Sequence, residues 1–382
     1  MPVIYPYVQY SGMWTPQSQM QAVAATTWPV VPLPGLYSWG SNGSGQLGLG
    51  NTTSYSSPKQ VGALATWSKI TGTNTGNSYS IKTDGTLWSW GKNNLGQLGL
   101  GNTTYYSSPK QVGALTTWLN VSAGGQFAIA TKTNGTLWSW GYNASGELGL
   151  GDTTNRSSPV QVGVLTTWLT IVAGRYYSLA TKTDGTLWSW GNNSNGQLGL
   201  GNTTYYSSPK QVGALTTWSK IAGGQFTLAT KTDGTLWSWG LNTTGQLGLG
   251  NITNRSSPVQ VGALTTWSNV SAGFYSAFAT KTDGTLWSWG RNDSGQLGLG
   301  NTTNYSSPKQ VGALTTWLST DNKNNHTLAT KTDGTLWSWG SNNNGQLGLG
   351  NTAYYSSPKQ VGALTTWSKV ACGSDNTIAI HA

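Results

Sequence analysis

The chain has 382 residues, including 53 glycines and 22 tryptophans, and only 8% of it is charged. So many aromatics, with turn residues falling at regular intervals, exclude a disordered chain. One cysteine (Cys372) and two histidines (His326, His381) exclude a disulfide framework and leave no metal cluster to assign. The net charge of +10 arises largely from lysines at evenly repeated positions, such as Lys59, Lys110, Lys210, Lys309 and Lys359, which argues against a nucleic-acid partner. No apolar run approaches the ~18 residues of a membrane span, so no membrane insertion is expected. The N-terminus lacks the pattern of a secretory signal.

Residues 1–34 stand apart from the rest and carry no charge. Ile4, Tyr5, Tyr7 and Tyr10 read as extended chain. Thr15-Pro16 is a helix-start signal, with a short helix expected over 17–25 that places Met20 on one side. Pro29, Pro32 and Pro34 make a stiff linker. Trp14 and Trp28 are residue types that anchor interfaces, so residues 1–34 are expected to act as an arm that docks on another protein. The phrase Tyr10-Ser11-Gly12-Met13-Trp14-Thr15, with Thr27-Trp28-Pro29 further on, resembles the leader of some tailed-phage virion proteins. That resemblance implies a virion-attached or cell-surface protein.

From residue 35 onward one phrase recurs. A Trp-Gly pair falls at Trp39, Trp90, Trp140, Trp190, Trp239, Trp289 and Trp339, in steps of 49–51 residues. A period of this size signals repeats that stack to bury a shared core. Within one repeat, Asp233-Gly234 predicts a two-residue hairpin. Thr235-Leu236-Trp237-Ser238-Trp239 alternates as a strand. Gly-Gln-Leu-Gly-Leu-Gly predicts a chain of turns, and further extended stretches begin at Pro258 and Thr265. Four short strands per repeat predict an all-β, seven-bladed β-propeller of four-stranded blades over residues 35–382. The phrase Ala-Gly-x-x-x-x-Leu-Ala-x-x-x-Asp-Gly-x-Leu-x-x-Trp-Gly-x-Asn-x-x-Gly-Gln-Leu-Gly-x-Gly resembles the repeat of the regulator of chromosome condensation family, which implies the same fold.

The last copy stops after Ile380 without its Trp-Gly strand, while Leu36–Gly40 supplies an orphan one. Ring closure by pairing the N-terminal strand with the C-terminal blade is therefore expected, which also removes exposed sheet edges. The glycine-rich runs are not phosphate loops, since no helix pattern or Lys-Ser/Thr follows them. Glu147 replaces glutamine in one run and reads as surface variation.

The Trp-Gly Trp always precedes the next Thr-Trp Trp by 28 residues, whereas the return arc varies from 21 to 23. Residue identity varies in that arc too, at Asn77 and Tyr79; Gln126 and Phe127; Arg175, Tyr176 and Tyr177; Gln225 and Phe226; Phe274 and Tyr275; Asn325 and His326; Asp375 and Asn376. Seven such loops lie on one face of a propeller, and residues of these types suit recognition. Lys92, Tyr142, Leu241 and Arg291 form a second variable set that reads as ordinary turns.

The expected function is a non-enzymatic, cofactor-free binding protein on a virion or extracellular surface. Residues 1–34 would attach it to another virion or surface-assembly protein, in multiple copies. The variable face would bind a host glycan or surface protein. A purely structural role is the alternative, as is a small-GTPase regulator like eukaryotic members of the family. Few carboxylates occur outside the Asp-Gly turns, so no acid/base pair can be assigned.

Overall fold

The computed structural model describes residues 34–382. The expected anchors Ile4, Tyr5, Tyr7, Tyr10, Trp14, Met20 and Trp28, and the helix over 17–25, lie outside the described residues.

Twenty-eight strands, β1 to β28 in chain order, form seven four-stranded sheets among the described residues. Blade I contains β3 (Trp67–Gly72), β4 (Asn77–Lys82), β5 (Leu87–Gly91) and β6 (Tyr106–Gln111), side by side in that order. Blades II to VI repeat this plan, beginning at β7 (Trp118–Ala123), β11 (Trp168–Ala173), β15 (Trp218–Gly223), β19 (Trp267–Ala272) and β23 (Trp317–Asn322). Blade VII is assembled from both ends of the chain: β27 (Trp367–Cys372), β28 (Asn376–His381), β1 (Gly35–Gly40) and β2 (Tyr55–Gln60). β1 runs antiparallel to β28 in unbroken register from Gly35↔His381 to Gly40↔Asn376.

The first strand of each blade touches the first strands of both neighbours, and β27 meets β3 to complete the circle. These strands surround a central channel. The Leu-Trp-Ser-Trp strand is buried on both sides: Leu236, Ser238 and Trp239 are all 0% exposed. Alternation would put one face in solvent, but in a propeller each middle strand is covered by the blades before and after it.

The Trp-Gly tryptophan bolts blades together. Trp140 Nε1 donates to the Gln97 carbonyl of the preceding blade at 2.8 Å. Trp190, Trp239, Trp289 and Trp339 repeat the bond at 2.8–3.0 Å. Trp39 does the same to Gln346 at 2.9 Å, so the closing junction carries the same bolt as the others. The indole then needs space. A side-chain carbon on Gly99 (φ +72°) would come within 2.8 Å of Trp140 Nε1, which explains a glycine at that point of the run. Buried asparagines fix the same turns: Asn93 Oδ1 accepts from Leu98 N–H at 2.8 Å and its Nδ2 donates to the Asn102 carbonyl at 3.0 Å.

Two local expectations change. The Asp-Gly hairpin is one residue longer than the two-residue turn. Gly85 N–H donates to the Lys82 carbonyl at 3.0 Å, so Thr83 and Asp84 are the central residues and Gly85 (φ +76°) follows them. This is a three-residue loop with glycine in the left-handed position, stabilised by Asp84 Oδ1 accepting from Thr86 N–H. The outer strand starts before its proline: the strand Arg255–Gln260 contains Pro258 where the ladder is irregular. Proline is tolerated there because the strand is an edge.

Candidate recognition site

Strand parity puts two sets of turns at one end of every blade. The loop from the first to the second strand is one set; the turn that follows Trp-Gly is the other. In blade II they touch directly, with Tyr142 N–H donating to the Gln126 carbonyl at 3.0 Å. The end of the ring that carries both is called the mouth.

The mouth loops hold one another in a hydrogen-bonded collar. Gly125 N–H donates to the Arg175 carbonyl, Arg175 N–H to Gly224, Phe274 N–H to Lys323 and Ser374 N–H to Thr73, at 2.7–3.0 Å. Thr75 Oγ1 donates to the Gly125 carbonyl. Between blades VI and VII a side chain takes over: Asp321 Oδ2 accepts from Cys372 N–H at 2.6 Å. Asp321 occupies the place that Ser122 holds in blade II, where Ser122 Oγ accepts from Ala173 N–H. Burial raises the Asp321 carboxyl above its usual range, with Lys323 opposing the shift. The channel below is a cavity of about 570 Å³ lined by residues of all seven first strands, Asp321 among them.

The structure divides the fifteen expected mouth residues. Asn77, Tyr79, Phe127, Tyr177, Phe226, Phe274, His326 and Asn376 are buried, each 8% exposed or less. They were expected on the surface, so this is a correction. Most of these are the first residue of a second strand, where the side chain turns inward between blades. Tyr177 donates from its hydroxyl to the Phe226 carbonyl of the next blade at 2.6 Å. Tyr79 donates from its hydroxyl to the Gln97 carbonyl of its own blade. His326 Nε2 lies 3.3 Å from Thr377 Oγ1, and burial pushes its imidazole down to about 4. Gln126, Arg175, Tyr176, Gln225, Tyr275, Asn325 and Asp375 remain partly exposed.

Around these residues one cluster stands out. The Arg175 guanidinium lies 5.1 Å from the ring centre of Tyr176 and 4.6 Å from that of Phe274. Arg175 belongs to blade III and Phe274 to blade V, so the contact passes over blade IV. Its loop has only two residues, 224 and 225, against three in blades III and V. Gly224 sits so low that an added side-chain carbon would fall 1.6 Å from the Gly273 carbonyl. This is the 21-residue arc, and its missing residue opens the gap that Arg175 crosses.

Tyr142 packs edge-on against Tyr176 at 6.4 Å, and Phe274 against Tyr275 at 6.3 Å. The Arg291 guanidinium covers Tyr275 at 5.4 Å and pairs with Asp293 at 2.5 Å. Tyr142 and Arg291 come from the variable set read as ordinary turns. The antiparallel pairing of second and third strands, which sets Tyr177 opposite Gly191, was the signal that both sets share one end.

Glu147 is a further correction: it is 0% exposed rather than on the surface. Its backbone carbonyl accepts the Trp190 bolt, and its Oε2 accepts from Ser145 N–H at 2.8 Å. Its Oε1 has no partner. Gln197 at the same place donates from Nε2 to Asn192 Oδ1; a carboxylate lacks that donor. Burial pushes the Glu147 carboxyl up to about 7.

Fold and mouth together define a repeat propeller: a constant frame with one diversified end. A family model for the Regulator of chromosome condensation (RCC1) repeat matches residues 35–81, 84–131, 134–181, 184–229, 233–279, 283–329 and 333–380. The chain belongs to that family. It is 40% identical over 81 residues to the X-linked retinitis pigmentosa GTPase regulator of Canis lupus familiaris, covering 20% of this chain and 8% of that protein. It is 39% identical over 79 residues to Protein RCC2 of Mus musculus, covering 20% and 15%. A BTB/POZ domain-containing protein of Schizosaccharomyces pombe matches at 40% over 88 residues, covering 21% of this chain and 6% of that protein. The match thus spans a small part of each curated relative. Among solved structures, human WBSCR16 superposes with a TM-score of 0.82 at 22% identity, covering 92% of this chain and 99% of that one. Prp20p from Saccharomyces cerevisiae, studied for its binding to Gsp1p and histones, gives 0.82 at 20% identity and 92% of both chains. At these identities the likeness concerns the fold.

Proposed function

We propose that this chain is a non-enzymatic recognition protein that grips a protein partner with its mouth, between Tyr142 and Arg291. The observation that supports this best is the Arg175 stack on Tyr176 and Phe274, flanked by Tyr142, Tyr275 and Arg291. Arginine and tyrosine dominate interface hot spots because they combine a rigid apolar surface with polar edges. Here the aromatic rings hold the guanidinium groups in place, which lowers the ordering cost of binding. Family membership supports the same class, since the solved propellers of this fold include Prp20p, studied with Gsp1p and histones, and yeast RCC1 bound to Kap60.

In this proposal residues 1–34 tie several copies to a virion or other extracellular surface assembly, and the partner lies on a host surface. Many weak mouths on one particle would add by avidity. The test is surface binding by a variant in which Arg175, Tyr176, Tyr275 and Arg291 become Ala. A folded variant that binds as well as wild type would sink the mouth assignment. Deleting residues 1–34 is expected to abolish incorporation into the assembly while leaving mouth binding intact. The alternative, a regulator of a small GTPase, rests on the match to the retinitis pigmentosa GTPase regulator. Accelerated nucleotide release from a GTPase would favour it.

A further inference from the structure

Away from the mouth, between blades III and IV, lies a cavity of about 410 Å³. That is within the range of small-molecule sites, about 300–1,000 Å³. Leu200, Val212, Leu215 and Pro258 give it an apolar wall, and Gln211, Trp218, Lys231 and Trp237 are among the other residues that line it.

Three features mark it as a site rather than a packing fault. First, Trp218 is 5% exposed, lines the cavity, and its Nε1 donor has no hydrogen-bond partner. A buried donor left unpaired is unfavourable, so such a group calls for an explanation. Second, the Lys231 ammonium rests 3.5 Å from the Trp237 ring centre and 5.2 Å from that of Trp218. The ion pairs among the described residues are Arg156–Asp152 and Arg291–Asp293, so this ammonium is held on aromatic faces, and Asp233 acts on it only from beyond ion-pair distance.

Third, the arrangement repeats. Lys82 on Trp88, Lys132 on Trp138, Lys182 on Trp188, Lys281 on Trp287 and Lys331 on Trp337 repeat the stack at 3.5–3.9 Å. Trp67, Trp118, Trp168, Trp267 and Trp317 repeat the unpaired donor. Leu64, Leu115, Leu165, Leu264 and Leu314 repeat Leu215, all 46–51% exposed. The mouth loops of the same repeats have diverged, while a half-exposed leucine, which a scaffold does not need, stays leucine. The junction of blades VI and VII keeps Leu364 and the unpaired donor of Trp367 but has His381 for the lysine and Tyr37 for the tryptophan, their rings 6.0 Å apart, so it lacks the ammonium.

An apolar wall, an unpaired N–H, a glutamine amide and an ammonium with no ion-pair partner fit one ligand chemistry. A pyranose ring lays its C–H face on leucine and indole, its hydroxyls meet the N–H and the amide, and a carboxylate on the ring meets the ammonium. We propose that these inter-blade grooves are six equivalent sites for an acidic sugar unit, a hexuronate carried on a surface polysaccharide. Six sites on one chain would let weak single sites sum to firm attachment to a polymer that carries many such units. This is independent of the protein partner proposed for the mouth.

Isothermal titration of the full chain with D-galacturonate, and with D-galactose as the neutral control, tests it. Galacturonate is expected to bind at about six sites per chain, at least tenfold more tightly than galactose and more weakly as salt rises. Lys231→Gln alters one groove and leaves five; it is expected to keep the wild-type melting temperature and lower the site count by one. Absence of saturable binding, equal binding of both sugars, a single site per chain, or a site count unchanged in the folded Lys231→Gln protein would each overturn the proposal.

Discussion

The blade junctions and the mouth obey opposite rules within the same repeats. At the junctions, Trp39, Trp90, Trp140, Trp190, Trp239, Trp289 and Trp339 are each fully buried and bonded to a carbonyl of the preceding blade. At the mouth, Arg175, Gly224 and Phe274 are three different answers at one place in three consecutive blades, linked by backbone bonds and ring stacking. The junction bond uses a side chain as donor and a close-packed cavity, so only one residue fits. The mouth collar is bonded mostly through the backbone, with Thr75 and Asp321 as the side-chain links, which leaves the other side chains free to differ. A backbone-bonded rim on side-chain-bolted blades can change its surface without altering the frame.

The largest effect tests the junctions at their one non-covalent closure. A chain ending at residue 370 lacks β28, the partner of β1, and loses the Thr377 Oγ1 bond to Gln346. We expect it to lose cooperative melting and to aggregate through its open edges, as seen by calorimetry and size-exclusion chromatography. A monomer with the wild-type melting temperature would show that closure is dispensable. Next comes Trp140→Ala, which empties a fully buried indole site and removes one of the two donors, Tyr79 being the other, to the Gln97 carbonyl. A loss of about 3–5 kcal/mol in denaturant unfolding is expected. If Trp39→Ala cost much less, the closing junction would not be equivalent to the others.

Much of this frame is readable in the sequence because it repeats. Seven copies of Trp-Gly, each with its turn run, give the blade count, and the missing strand after Ile380 together with the orphan strand at Leu36 gives the closure. The mouth was legible only as a region. Phe127 and Tyr177 vary like surface residues yet are buried, because each fills a gap whose shape depends on the neighbouring blade. Variation alone does not separate a packing adjustment from a recognition surface. The Arg175–Phe274 stack joins residues about a hundred positions apart, across a blade whose shortened loop is visible in the spacing but whose consequence is three-dimensional.

Glu147 sharpens the comparison, since it is a junction residue that has drifted like a mouth residue. Its carboxyl is pushed from 4.5 up to about 7 by burial. The folded state therefore favours the protonated form. That stabilisation is fully present below about pH 4.5 and is lost as pH rises to about 7. The cost above neutrality is about 3 kcal/mol. Glu147→Gln supplies a neutral amide with a donor, as in the other six copies. We expect the variant to match wild type near about pH 4 and to exceed it by up to about 3 kcal/mol near about pH 8. The check is the difference between the two unfolding free energies across that range, which cancels groups common to both. A difference independent of pH would mean that Glu147 does not change protonation between folded and unfolded chain.

The smallest effect on stability is expected where the proposed effect on binding is greatest. Arg175 is partly exposed, and its two ring contacts are worth about 0.5–1 kcal/mol each at such sites. Its backbone N–H, bonded to the Gly224 carbonyl at 2.9 Å, is untouched by substitution. Arg175→Ala should therefore lower the melting temperature by no more than about 3 °C. Phe274→Ala is the informative companion, because that ring is 8% exposed and also meets Tyr275. If Phe274→Ala destabilises strongly while Arg175→Ala does not, the ring belongs to the frame and only the guanidinium to the mouth. If both leave the melting curve unchanged, the whole stack sits on the frame without supporting it, as a surface free to diverge requires.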